Sequence, residues 1–282
     1  MKKLLIWLPG MLSMLAACTE AVEIPARAPE KQSPVRVELH LTTEQQAATR
    51  AMDENCIRDV NLYLYGDTEY HFYFPSVSSP LVFNVLPGNY RSYAIANAGQ
   101  DLGDKNAFKI QFYETAVDVM ESSDTIPMTD RGTLAVDGAG RCTPSSLRVT
   151  RSAAKIAYTI EVADAVAPSL RLRSVQFCNL PLTIRPFDSG SISSTVEANY
   201  YDGEAMPVGN ERRTAGTAYL FENLQGSVDT ITDQKDKCPE NAPACATYLR
   251  ILAERSTDKA LVEYIVYPGE NNTSDFNVRR NT

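Results

Sequence analysis

In Val35-Arg36-Val37-Glu38-Leu39-His40-Leu41 apolar and polar residues alternate without a break, which puts Val35, Val37, Leu39 and Leu41 on one face. A period of two is that of a strand with one side buried. Residues 57–65, 70–74, 81–86, 90–97 and 108–113 are β-branched and aromatic in the same manner, and Gly66-Asp67, Pro87-Gly88-Asn89 and Gly99 punctuate them as turns. Residues 42–55 are polar and lose the alternation, as a loop or a short helical turn does. Residues 123–145 are rich in glycine and predict a loop. A second set of strands is predicted at 147–149, 153–162, 170–178, 196–201, 218–222, 248–252 and 261–267, with Ile156, Tyr158, Ile160 and Val162 again alternating. Asp275-Phe276-Asn277-Val278-Arg279-Arg280-Asn281-Thr282 starts a further strand and stops. Helix signals are sparse. The pattern predicts an all-β chain of two β-sandwich domains, residues 35–145 and 146–282.

Ahead of the first strand, Lys2-Lys3 leads into an apolar run over residues 4–15, broken by Pro9-Gly10 and closed by Leu15-Ala16-Ala17-Cys18. A membrane-spanning helix needs about 20 apolar residues, so residues 1–17 read as a signal peptide. The small pair before cysteine resembles the bacterial lipobox. That resemblance implies cleavage before Cys18, lipid on its sulfur and new amino group, and a stable outer-membrane anchor. The alternative is an ordinary signal peptide with a coincidental cysteine. Residues 18–34 carry Pro, Ala and charge and read as the lipidated tether. Glu20 and Glu23 resemble the acidic surface-export signals of Bacteroidales lipoproteins.

Composition narrows the function. The 282 residues are 44% hydrophobic and 22% charged, within the globular range. A net charge of −8 argues against nucleic-acid partners, which need a basic face to displace counterions. The two histidines, His40 and His71, are too few for most imidazole-based metal or acid–base chemistry. No nucleophile elbow, phosphate loop or zinc-protease motif occurs, so neither enzyme, cofactor nor metal is expected. Asp67, Asp101 and Asp104 fit solvated turns better than calcium ligation. Tyr63, Tyr65, Tyr70, Phe72, Tyr73 and Phe74 suit core and cross-strand pairs better than a ligand-stacking surface. Beyond Cys18, Cys56, Cys142, Cys178, Cys238 and Cys245 form an odd set in an oxidising compartment. Cys238 and Cys245 bracket a turn-rich loop and are the disulfide candidates. Asp124-Thr125-Ile126 and Asp229-Thr230-Ile231 resemble the Bacteroidales O-glycosylation sequon, which makes Thr125 and Thr230 candidate acceptors.

Several stretches together resemble the fimbrillin-type subunits of the Bacteroidales type V pilus. They are the lipobox and tether, the strand 35–41, the Arg50-Ala51 step, and Ile57-Arg58-Asp59-Val60-Asn61-Leu62-Tyr63-Leu64-Tyr65. Further on come Leu86-Pro87-Gly88-Asn89-Tyr90, the stretch 93–99, Leu147-Arg148-Val149, Ala153-Ala154-Lys155-Ile156 and the stretch 276–281. The resemblance implies two transthyretin-like sandwich domains. It implies export as a lipoprotein, and cleavage at Arg50-Ala51 that removes the lipid and the strand bearing Val35, Val37, Leu39 and Leu41. The partners it implies are other pilus subunits, by β-strand donation, and a host or bacterial surface ligand. Anchor subunits of the family keep the first strand and the lipid, so a permanent strand also fits. Stalk subunits continue past the Arg-Asn step, and an end at Thr282 fits a tip or anchor, or a truncated frame. A surface lipoprotein that binds glycan or nutrient through sandwich loops is the alternative function.

Overall fold

A computed structural model describes residues 32–43, 55–103, 126–183, 186–187, 193–209 and 211–282. Their strands are, in order, β1 (Val35–Thr43), β2 (Val60–Tyr65), β3 (Glu69–Phe74), β4 (Leu81–Val85), β5 (Gly88–Ala96), β6 (Met128–Val136), β7 (Cys142–Thr143) and β8 (Ser146–Arg151). They continue with β9 (Ala153–Glu161), β10 (Leu170–Cys178), β11 (Leu180–Pro181), β12 (Tyr200–Tyr201), β13 (Met206–Pro207), β14 (Arg213–Phe221), β15 (Tyr248–Arg255) and β16 (Leu261–Val266). The only helical elements among the described residues are short 3-10 turns at Glu197–Asn199 and Gln234–Asp236. The chain is all-β.

The N-terminal strands run in the order β3-β2-β5-β6-β8-β1-β4. Inward positions at spacing two from β1, β2, β4, β5, β6 and β8 meet in one core that includes Val37, Leu39, Leu62, Phe83, Ala94, Leu134 and Leu147. The two ends of this path curl toward each other, with the rings of Phe72 on β3 and Phe83 on β4 4.9 Å apart. β2 is buried on both faces. Val60, Leu62 and Leu64 fill the core, while Tyr63 and Tyr65 lie on the far side with Ile95, Ala98 and Phe187. Of the six clustered aromatics, Tyr70, Phe72 and Phe74 line the core and Tyr63 and Tyr65 are covered from behind.

The C-terminal strands form a sheet β13-β10-β15-β16 and a ribbon β14-β9, which share a core of Ala154, Leu172, Val175, Phe177, Leu220, Leu249 and Ile251. Both sets of strands lie in one compact unit, residues 33–282.

Three expectations need correction. The glycine-rich stretch 123–145 contains a nine-residue strand, β6, paired with β5 from Gly88↔Val136 to Ala96↔Met128. Its middle, Arg131-Gly132-Thr133, is exposed and breaks the alternation, so the extended shape comes from a neighbour and not from local pattern. β8 pairs with β1 and β6 and gives Leu147 and Val149 to the first core, so the change of core falls at Ser152. Residues 275–282 do not form a strand; they make isolated bridges, Asn223↔Val278 and Ser227↔Asp275, and the segment bonds back to β9 through Lys155 N to Thr282 O. Residues 196–201, expected as a strand, are the first 3-10 turn followed by the two-residue β12. The strand expected at 108–113 lies outside the described residues.

Candidate functional site

The strand singled out by its alternation is β1, and its surroundings are the candidate site. Val37 and Leu39 are fully buried, Val35 and Leu41 are half-buried, and Arg36, Glu38 and His40 point outward. Each half of β1 has its own ladder. The first half pairs antiparallel with β4, setting Val35, Val37 and Leu39 against Val85, Phe83 and Leu81, all core residues. The second half pairs parallel with β8, setting Leu41 against Leu147 and Thr43 against Val149, and Thr42 Oγ1 donates to Leu147 O at 3.2 Å. The two ladders follow one another along the strand and do not flank the same residues.

Beside the first half lies the turn that links β6 to β7. Asp137 shapes it. Its Oδ1 accepts from the N–H groups of Ala139 and Arg141, both at 2.9 Å, and its Oδ2 accepts from Arg141 Nε at 2.7 Å. These bonds, the backbone one from Arg141 first, hold the Asp137 carboxyl below the usual carboxylate range. Further along, the Cys142 thiol donates to Glu38 O at 3.3 Å, and His40 N donates to Ser145 O at 3.0 Å. Burial pushes the Cys142 thiol up from its ordinary value, which keeps it a protonated donor. Between turn and strand runs an open groove of about 610 Å³ lined by Arg36, Glu38, His40, Arg141 and Cys142. The Arg36–Glu38 pair along the β1 wall, at 3.1 Å, is solvent-exposed and adds little.

Other expected site residues are dispersed. Cys18, Arg50, Ala51 and Thr125 lie outside the described residues, as do Glu20, Glu23 and Asp104. Thr230 is exposed on a turn. The Cys238–Cys245 disulfide is not formed; both are free thiols, as are Cys56, Cys142 and Cys178. Their loop is pinned by other means. Ile231, Ala246 and Phe276 bury together, and Lys237 Nζ lies 5.2 Å from the Phe276 ring and donates to Asn271 O at 2.8 Å. The buried Cys245 gives its carbonyl to Asn223 Nδ2, while the Cys238 sulfur accepts from Asn241. Among the described residues no group of three or more His, Cys, Asp or Glu is placed to hold a metal ion. The turn beside β1 falls within the loop expected over residues 123–145, and Asp137-Gly138-Ala139-Gly140 marks it as a turn, but nothing in the sequence pattern set it against β1.

Comparison with known proteins places this fold. Residues 218–282 match a family model described as a domain of unknown function, DUF4906. No curated protein matches the chain. Among solved structures, a candidate cell adhesion protein of Bacteroides eggerthii is similar at TM-score 0.58 and 13% identity, over 83% of this chain and 79% of that one. One of the same description from Parabacteroides distasonis is similar at TM-score 0.58 and 11% identity, over 89% and 90%. The tip fimbrial protein Mfa3 of Porphyromonas gingivalis, with a C-terminal truncation, is similar at TM-score 0.50 and 13% identity, over 88% and 92%. At these identities the shared property is the fold.

Proposed function

We propose that this chain is a pilus subunit, exported to the cell surface as a lipoprotein anchored through Cys18, that assembles by exchange of β1 for a strand from another subunit. The observation that carries the reading is the placement of β1. It supplies Val37 and Leu39 to the centre of the first core, yet it is the first described strand and is joined to the others only through residues 44–59. A cut at Arg50-Ala51 falls within that link and turns β1 into a separate peptide. Two fully buried and two half-buried aliphatic side chains are worth roughly 4–9 kcal/mol of burial, against a typical domain stability of about 5–15 kcal/mol. The cut subunit without β1 is therefore marginal, with an apolar slot between β4 and β8. An incoming strand with apolar residues at spacing two restores both the burial and the ladders. Because the two ladders are consecutive, the old strand peels from one end as the new one docks at the other. The fold shared with candidate adhesion proteins and a fimbrial tip protein agrees with this role. Thr230, exposed on its turn, is accessible for glycosylation on a surface protein.

The test is limited digestion of the lipidated protein with an arginine-specific protease. A new N-terminus at Ala51, followed by ladders on unheated denaturing gels that Arg50→Ala abolishes, is the expected result. A cut chain that keeps β1 and stays monomeric under mild heating overturns it.

A further inference from the structure

We propose that the turn 137–142 is a clamp on β1, and that Gly140 and Cys142 are the positioning residues that set how fast this strand leaves; the proposal rests on the strand-exchange reading above. On its first half β1 has a ladder on one edge only, to β4, because the parallel ladder with β8 begins at His40. The turn occupies the opposite edge. Gly140 comes so close that a Cβ built on it stands 2.1 Å from the carbonyl oxygen of Arg36 and 3.2 Å from its carbonyl carbon. Real Cβ atoms do not approach backbone that closely, so only glycine permits this contact. Its φ of +80° asks for glycine independently. Two residues on, the Cys142 thiol donates to Glu38 O, the next carbonyl that points to the same side. Gly140 and Cys142 thus match Arg36 and Glu38 at spacing two, the period of a strand partner, with a single thiol bond in place of a full ladder.

The clamp does not depend on β1 for its own shape. It is closed on itself by the Asp137 bonds and by Gly140 N to Asp137 O at 3.0 Å, and is tied to β6 through Ala135↔Thr143 and Val136↔Cys142. It therefore stays in place while a strand departs, and opposes both the loss of the resident strand and the entry of its replacement. Glycine at a neighbouring position supplies an internal control. A Cβ on Gly138 meets no atom within 4 Å, and its φ lies outside the left-handed region.

The test uses the full chain cut at Arg50 and a fluorescein-labelled synthetic peptide of residues 33–43, with anisotropy reporting its uptake. Gly140→Ala displaces the turn and is expected to speed uptake about three- to tenfold, the range for losing one or two hydrogen-bond-scale contacts. Cys142→Ala removes the thiol, with its bond to Glu38 O and its packing at the edge of the first core, without backbone strain, and is expected to speed uptake about threefold even if Gly140→Ala folds poorly. Gly138→Ala is expected to match the parent. Uptake by the parent with no acceleration in either Gly140→Ala or Cys142→Ala overturns the clamp and leaves strand exchange standing. No uptake by parent or variants, under conditions where the cut is complete, overturns strand exchange itself and the clamp with it.

Discussion

Asp275 ties the C-terminal segment together through both oxygens of its carboxylate. Its Oδ2 accepts from Glu270 N at 2.8 Å and Asn277 N at 3.3 Å; its Oδ1 accepts from Asn277 Nδ2 at 2.5 Å, Ser227 Oγ at 3.2 Å and Arg279 Nη2 at 3.4 Å. Burial alone would raise its pKa, but these bonds and the Arg279 charge outweigh burial and lower it. Asp59 goes the other way: burial raises it more than the bonds from Gly99 N and Ala98 N lower it. A carboxylate with a lowered folded pKa contributes stability that is present above the unfolded value and lost as pH falls through the folded one. Asp275→Asn is accordingly expected to cost about 2–3 kcal/mol at pH 7, since an amide turns donors toward donors. Urea unfolding at pH 7 and again near pH 3 checks this. The gap between parent and variant should narrow in acid, and a gap independent of pH would rule the carboxylate's charge out as the cause.

At the scale of elements, β1 repays comparison with β6, because both run nine residues. β1 was legible in the sequence: every second residue is aliphatic, and one buried face is the simplest consequence. β6 was not. Asp130-Arg131-Gly132-Thr133 offers no apolar period, and its conformation is imposed by a residue-by-residue ladder with β5. The short pair Leu147 and Val149 announced a strand but not its owner, since two aliphatic residues fit either core until the parallel pairing with β1 is known. The energetic prediction follows from burial. Leu39→Ala, at a fully buried site between Leu81 and the first core, should cost about 2–5 kcal/mol. Arg36→Ala, on the exposed side of the same strand, should stay within about 0.5 kcal/mol. Thermal denaturation of the uncut chain separates the two, and equal losses would mean that β1 contributes no core.

Over the whole molecule, residues just after β11 and near Arg280 tie the C-terminal part of the chain to the outer face of the N-terminal sheet. Phe187 meets Tyr93 edge-on at 5.1 Å and packs with Tyr63, Tyr65 and Ile95 on the outer face of β2 and β5. The carbonyl of Pro186 accepts from Thr129 Oγ1 of β6 at 2.8 Å and from Arg280 Nη1 at 2.7 Å, and Arg280 in turn pairs with the buried side of Glu222 at 2.7 Å. Removing the ring should uncouple the halves. Phe187→Ala is expected to cost about 3–5 kcal/mol and to split a single calorimetric transition into two; one sharp transition in the variant would show that other contacts suffice. Nothing in the local sequence around Pro186-Phe187 marks this role, because a lone aromatic after Leu182, Ile184 and Pro186 gains meaning only from the face it covers. What the chain determined by itself was the periodic part. Alternation dictated strands, the scarcity of helix signals dictated an all-β fold, and the same alternation marked residues 35–41 as half-buried. Which strands are neighbours, where one core yields to the next, which glycine lies against a carbonyl and whether two cysteines meet were decided only by tertiary structure. Each of these depends on distances between residues many positions apart, and a periodic pattern carries information about one strand's faces but none about its partners.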